Sequence, residues 1–146
     1  MATTATISIS SDIAPGFGGI SNTMTLTKAG TVNDIEETTG FSRRRLAATT
    51  LVDLIIMADA SLIQETADST AHKVYIRNIG DGKGNIDKST YVQIGIGDKA
   101  GTPQEIGRLY GGDWMLIPYG AADANSDVMI TPSVATAMTV EYMLFN

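Results

Sequence analysis

The chain has 146 residues, 16 acidic against 10 basic side chains, a net charge of −6 and no cysteine. That is the size of one domain with a core of its own; it excludes disulfides and thiolate metal sites, and it argues against a general nucleic-acid binder, which needs a basic face. No run approaches the roughly 18 apolar residues of a membrane-spanning helix, and no basic stretch leads into an apolar one at the start, so synthesis in the cytoplasm without an export signal is expected.

Thr, Ile, Val and Tyr are plentiful, and 15 glycines punctuate the chain. β-branched and aromatic residues fit a pleated, half-buried surface, and glycine supplies the turns between short strands. In chain order, TATISIS (4–10) alternates strictly and sets Ile7 and Ile9 on one face. The stretch 12–22, with one proline and three glycines, reads as an irregular connection. TMTLTKA (23–29) alternates again with Met24 and Leu26 inward, and the polar 30–41 reads as a loop. The first twenty or so residues carry little charge and are set off by Pro15 and Gly16. They fit an arm that pairs with a neighbouring subunit and equally an ordinary first strand of the same domain.

SRRR (42–45) is the one basic run, and it has three readings. One is contact with an acidic neighbour or with phosphate, although three arginines on an acidic chain are few for nucleic acid. Another is a solvated edge strand whose arginines discourage edge-to-edge aggregation. The third, preferred here, is a contact with a subunit or partner through Arg43, Arg44 and Arg45, since arginine is enriched at interfaces. The segment 46–63 is ambiguous. Leu51, Leu54, Ile55, Ala58 and Leu62 fit a helical face behind an N-cap at Thr50, yet 49–57 is apolar and β-branched enough for a buried strand. The β-rich surroundings favour the strand.

The second half is clearer. HKVYIRNI (72–79), STYVQIGIG (89–97), IGRLY (106–110), DWMLIPY (113–119), DVMITPS (127–133) and AMTVEYMLF (137–145) alternate between turn signals. The expected fold is all-β, a jelly-roll-like sandwich of eight or nine antiparallel strands spanning 23–146, with 1–22 as the arm or first strand. In 113–119, Trp114 and Leu116 fall on one side and Met115 and Ile117 on the other, so both faces of that strand must be covered, one by the core and one by something else.

Three stretches invite a chemical reading. IGDGKGNIDK (79–88) has acids and amides at alternate positions, as calcium loops do. Counted from Asp81, however, the third position is Lys83, the sixth is Ile86 and the twelfth is Val92, where an EF-hand needs oxygen, glycine and glutamate. As a phosphate cradle it lacks a following helix, and Asp81 and Asp87 would repel an anion. Between two β runs it reads as a hairpin connection. GIGDKAG (95–101) has glycines after a strand, but the spacing is GxGxxxG and no helix start follows, so a turn is expected rather than a dinucleotide fingerprint. His72 is the single histidine, with Asp53, Asp59 and Asp68 nearby in sequence; without a nucleophile elbow or other ligands it reads as a rim residue. No catalytic, cofactor or metal residues are assigned.

The run of HKVYIRN, YVQIGIG, IGRLYGGDWMLIPY and DVMITPSVATAMTVEYMLF, covering about half the chain, resembles small virion structural proteins of tailed bacteriophages, of the marine or cyanophage type. The most specific part is RLYGGDWMLIPY with the closing VEYMLF. The resemblance implies a capsid decoration or cement protein, made in the host cytoplasm and placed on the outer surface of the head. There it would bind the major capsid protein as a homo-oligomer, a trimer by preference, with no enzyme activity and no nucleic-acid or membrane partner. The contact residues it suggests are Ile7 and Ile9 of the arm, Arg43, Arg44 and Arg45, and an exposed rim at Trp114 and Tyr119. A tail or head-to-tail connector component, and a glycan-binding module with an aromatic platform at Tyr91, Tyr110 or Trp114, are the alternatives.

Overall fold

Period-two alternation requires each strand to bury one face, and the chain meets this by stacking two sheets. In a computed structural model, which describes residues 2–9, 19–27, 40–55, 71–97, 100–120 and 127–145 and, within these, no side chain at 71, 72 or 120, there are ten strands and no helix. They are β1 (Thr3–Ile9), β2 (Ile20–Leu26), β3 (Ser42–Leu46), β4 (Val52–Ile55), β5 (Ala71–Asn78), β6 (Tyr91–Gly97), β7 (Gln104–Tyr110), β8 (Trp114–Gly120), β9 (Asp127–Pro132) and β10 (Met138–Phe145). Every pairing is antiparallel.

One four-stranded sheet has the order β3-β10-β5-β8 and the other β4-β9-β6-β7. The chain crosses between them at nearly every connection, while β6 and β7 are neighbours in sequence and in space. This order is that of an eight-stranded jelly roll, an all-β sandwich as expected. β1 and β2 form a separate hairpin. A boundary drawn at residue 22 therefore falls inside β2, and the natural unit before the sandwich is the whole hairpin.

The core lies between the sheets. Val74, Ile76, Val140 and Leu144 face Val92, Ile94, Val128 and Ile130, all fully or almost fully buried. Apolar residues recurring at every second position in six of the strands produce this layer directly.

β3 is the strand that alternation does not announce, because three successive arginines mask the pattern. It forms because an edge strand needs only one paired neighbour, here β10, and because Leu46 is buried opposite Met138 at its end. The ambiguous segment resolves in part: residues 47–51 are not strand, Val52–Ile55 is strand β4, and 56–63 lie outside the described residues. β-branched Val52 and Ile55 sit beside the buried strand β9, where a helix would have broken the ladder. Of the expected connections at 12–22 and 30–41, residues 12–18 and 30–39 lie outside the described residues, as do Asp59 and Asp68, while residues 20–22, expected in the first connection, belong to strand β2.

The stretch 79–88 forms the β5–β6 turn. Its Asp81 carboxylate accepts from the backbone N–H of Lys83 (2.7 Å) and Asn85 (3.1 Å) and from the Asn85 amide (2.6 Å). These bonds hold its pKa below the usual carboxylate range. The oxygens that suggested a calcium loop are spent on folding the turn. At Gly80, φ is +70° and a Cβ would lie 2.0 Å from the Asn85 carbonyl oxygen, so the backbone there needs glycine. The glycines of 95–101 have a packing role too: Pro103 folds back over β6, and a Cβ on Gly95 would lie 3.1 Å from the Pro103 Cβ. Met129, on the outer side of its sheet, is buried where this connection folds back.

Candidate interaction face

The outer face of the β3-β10-β5-β8 sheet collects most of the chemistry that the sequence singled out. Register sets its rows. One row reads Arg43, Glu141, Arg77 and Trp114 across the four strands, and the next places Met143, Tyr75 and Leu116 side by side. Phe41, just before β3, meets Tyr75 edge to face with ring centroids 6.2 Å apart, and Tyr75 lies 6.3 Å from Trp114. Arg43 clamps Glu141 through two nitrogens at 2.9 Å. Arg45 and Arg77 are exposed, and so are Trp114 at 48 % and Phe41 at 69 %. In a chain of net charge −6, this face holds four of the ten bases, Lys73 included, against one acid.

The same face answers what covers the second side of β8. The base of the β1–β2 hairpin lies on it. Leu26, 2 % exposed, lines with Leu116, Tyr75, Met143 and Phe145 an apolar cleft whose other wall is residues Thr3 to Ile7. The Lys73 ammonium donates to the Thr27 carbonyl at 2.6 Å and ties the end of β2 to β5. A two-stranded hairpin is marginal alone, so this seat is what positions it. Cross-strand partners split the hairpin into two faces. Thr4, Thr6 and Ser8 oppose Thr25, Thr23 and Ser21, with a Thr6–Thr23 hydroxyl bond of 2.9 Å. Ala5, Ile7 and Ile9 share the other face with Met24, Ile20 and Leu26. Ile7, Ile9, Ile20 and Met24 are exposed, so Met24 does not turn into a core as the alternation suggested.

Two of the expected contact residues are elsewhere. Tyr119, expected on an exposed rim, is 1 % exposed and belongs to the core between the sheets. Its position five residues after Trp114 puts it on the opposite face of β8. Arg44 points away from Arg43 and Arg45, for the same reason of parity. It donates to the Asp53 carbonyl on β4 and so joins the edges of the two sheets. The backbone of His72 pairs with that of Tyr119, and its side chain lies outside the described residues. The aromatic platform also divides: Tyr91 and Tyr110 meet at a tilt, ring centroids 5.4 Å apart, on the outer face of the other sheet, with the Arg108 guanidinium 4.8 Å over the Tyr91 ring, while Trp114 is on the far side of the sandwich.

Alternation in 72–79 sets Tyr75 and Arg77 on the side opposite Val74, Ile76 and Asn78, as the structure has them, but did not mark Arg77 as a contact residue; Phe41 lies in a polar stretch and gave no signal.

Burial, and after it the negative charge of Asp127, push the Tyr119 phenol far above its ordinary value near 10. The folded chain therefore keeps this proton where the unfolded chain releases it. Its contribution to stability is complete below about pH 10 and declines as pH rises above that. Tyr119→Phe is expected to unfold less steeply than the parent in an alkaline titration, with the two curves converging above about pH 10. Parallel curves would show that Tyr119 does not carry the effect.

No group of three or more His, Cys, Asp or Glu side chains placed to hold a metal ion occurs among the described residues. No protein-family model and no curated protein matches the chain.

Proposed function

We propose that the chain is a non-catalytic structural protein of a tailed-bacteriophage virion, a decoration or cement protein that binds the outer surface of the major capsid lattice as a homo-oligomer. The observation that carries this reading is the outer face of the β3-β10-β5-β8 sheet. Exposed Arg45 and Arg77 stand beside exposed Trp114 and Phe41 on a chain that is otherwise acidic. Arginine and tryptophan are the residues that most often dominate binding energy at protein interfaces, and a basic face on an acidic chain orients it towards an acidic partner surface. The resemblance of residues 72–145 to small virion proteins supplies the kind of partner. Many symmetry-related copies would each bury a modest area, and avidity would hold the layer in place. A jelly roll by itself favours no function, since the fold also serves lectins.

The test is co-sedimentation of the purified chain with emptied heads of the phage that encodes it. Saturable binding is expected. Arg45→Glu with Arg77→Glu is expected to weaken it by about tenfold or more, with greater loss at low salt than at high. Arg43 is left out because it is engaged by Glu141. Absence of binding would remove the decoration reading in favour of a tail or connector component. Binding that survives the double reversal would place the contact on another face. The glycan-binding reading has one observation in its favour, the Tyr91–Tyr110 pair, but the Arg108 guanidinium already lies over the Tyr91 ring, where a sugar would stack.

A further inference from the structure

The hairpin and the sheet beneath it are the two jaws of one open apolar cleft. Near its base the jaws meet, and Leu26 is buried between them. Towards the tip, the face that carries Leu26 continues as Met24, Ile20, Ile9 and Ile7, all between 43 and 51 % exposed, with the exposed Asn22 opposite Ile7 as its one amide. The chain thus presents an unfilled apolar cleft of about 230 Å³ and an uncovered apolar tip at the same time.

We propose that the occupant of the cleft is the hairpin tip of a second copy of this chain. Three observations favour a copy over another partner. The base of the hairpin is already seated on the outer sheet face, so the tip's own surface chemistry is matched to that face, and a second copy brings an identical sheet. The described hairpin residues, 2–9 and 19–27, include no Asp, Glu, Lys or Arg. Two chains of charge −6 can therefore bring these parts together without placing like charges in contact, where an unrelated acidic partner would be steered to the arginines instead. Finally, donor and acceptor are on one chain, so exchange between copies covers both in each copy, whereas a foreign strand in the cleft would leave the tip open. Because donor and acceptor are different surfaces, a defined oligomer requires either reciprocal exchange in a two-fold dimer or a head-to-tail contact whose rotation closes as a small ring. This inference does not depend on capsid binding, and its test uses no heads.

The experiment is light scattering of the full chain over a concentration series, beside a variant carrying Ile9→Lys and Ile20→Glu. These two residues are direct cross-strand partners, so the opposite charges keep the hairpin paired while making its tip polar. The expected result is a defined oligomer of two or three copies for the parent. The variant is expected to weaken association at least about 100-fold and to keep the melting temperature that the parent shows when diluted to the monomer. Trp114→Ser, on the cleft side, is expected to weaken association in the same direction. Because the chain has no cysteine, Ile9→Cys in one preparation and Phe41→Cys in another can be mixed and oxidised, and a crosslink between the two is expected. A parent that stays monomeric to roughly 100 µM would overturn the proposal. So would an oligomer indifferent to the tip variant, or mixed single-cysteine chains that do not crosslink to each other.

Discussion

Asn78→Leu is expected to lower the unfolding free energy by about 3 kcal/mol, a fall in melting temperature of roughly 10 °C. Asn78 closes β5 and is fully buried. Its amide nitrogen donates to the Leu109 carbonyl on β7 at 3.0 Å, and its amide oxygen accepts from the Gly80 N–H at 3.0 Å. Its backbone donates to the Asp113 carbonyl and accepts from Gly112. One side chain thus bonds the two sheets together at the end where the chain crosses from β7 to β8. Leucine matches its size but leaves a buried carbonyl and a buried N–H without partners, which is the expensive half of losing a hydrogen bond. Asn78→Asp separates the bonds from the packing. Ionised, it would set a carboxylate against the Leu109 carbonyl; protonated, it could donate there. Burial raises such a carboxyl's folded pKa, so this variant is expected to lose stability as pH rises from about 4 and to approach the parent below it. Chemical denaturation at pH 4 and pH 7 measures both, and a leucine variant as stable as the parent would refute the role.

Gly111→Ala is expected to be about as damaging, roughly 3 kcal/mol, while Gly107→Ala four residues earlier is expected to be neutral or stabilising by about 0.5 kcal/mol. Gly111 is the second residue of the turn from Tyr110 to Asp113 that carries the chain from one sheet to the other. A Cβ there would lie 2.3 Å from the Asp87 carbonyl oxygen and 2.8 Å from the Ile86 methyl. The β5–β6 turn cannot simply retreat, because its start is tied to β10: the Ile79 N–H donates to the Thr139 carbonyl at 2.9 Å and the Thr139 N–H donates to the Gly80 carbonyl at 2.6 Å. Around Gly107 a Cβ would meet nothing within 4 Å, and alanine restricts the unfolded chain more than glycine does. Unfolding midpoints in urea for the two variants decide the matter. Equal effects would mean that the turn does not press on the corner.

Asn78 and Gly111 belong to the same joint, which gives 79–88 its purpose. The turn that resembled a calcium loop is a wedge under the sheet-to-sheet corner. Its acids serve its own backbone, Gly80 lets it close on itself at Asn85, Gly82 lets it lie against Thr139 of β10, and Gly111 of the corner leaves room for it at Asp87.

Alternation by itself determined most of the sandwich. Val74 and Ile76, Val92 and Ile94, and Val128 and Ile130 could be assigned to a core from spacing alone, because a strand's side chains take opposite faces with a period of two whatever its neighbours are. The misfit of 79–88 to a calcium site was legible for a similar reason, since Lys83 and Ile86 stand where ligand and glycine are required. The tertiary structure alone decided which face of each strand is covered twice, and by what. Parity already set Tyr119 opposite Trp114 and Arg44 opposite Arg43 and Arg45; only the packing of the two sheets made the Tyr119 side of β8 the core, and only the edge position of β3 beside β4 gave Arg44 the Asp53 carbonyl as partner. Nor could spacing reveal that β1 and β2 pair with each other and sit on the back of the sheet, because seating a hairpin is a long-range contact that one strand's pattern does not encode. The open cleft exists for that reason: local sequence made a strand pair with one apolar face, and only the fold determined that half of that face would be left uncovered.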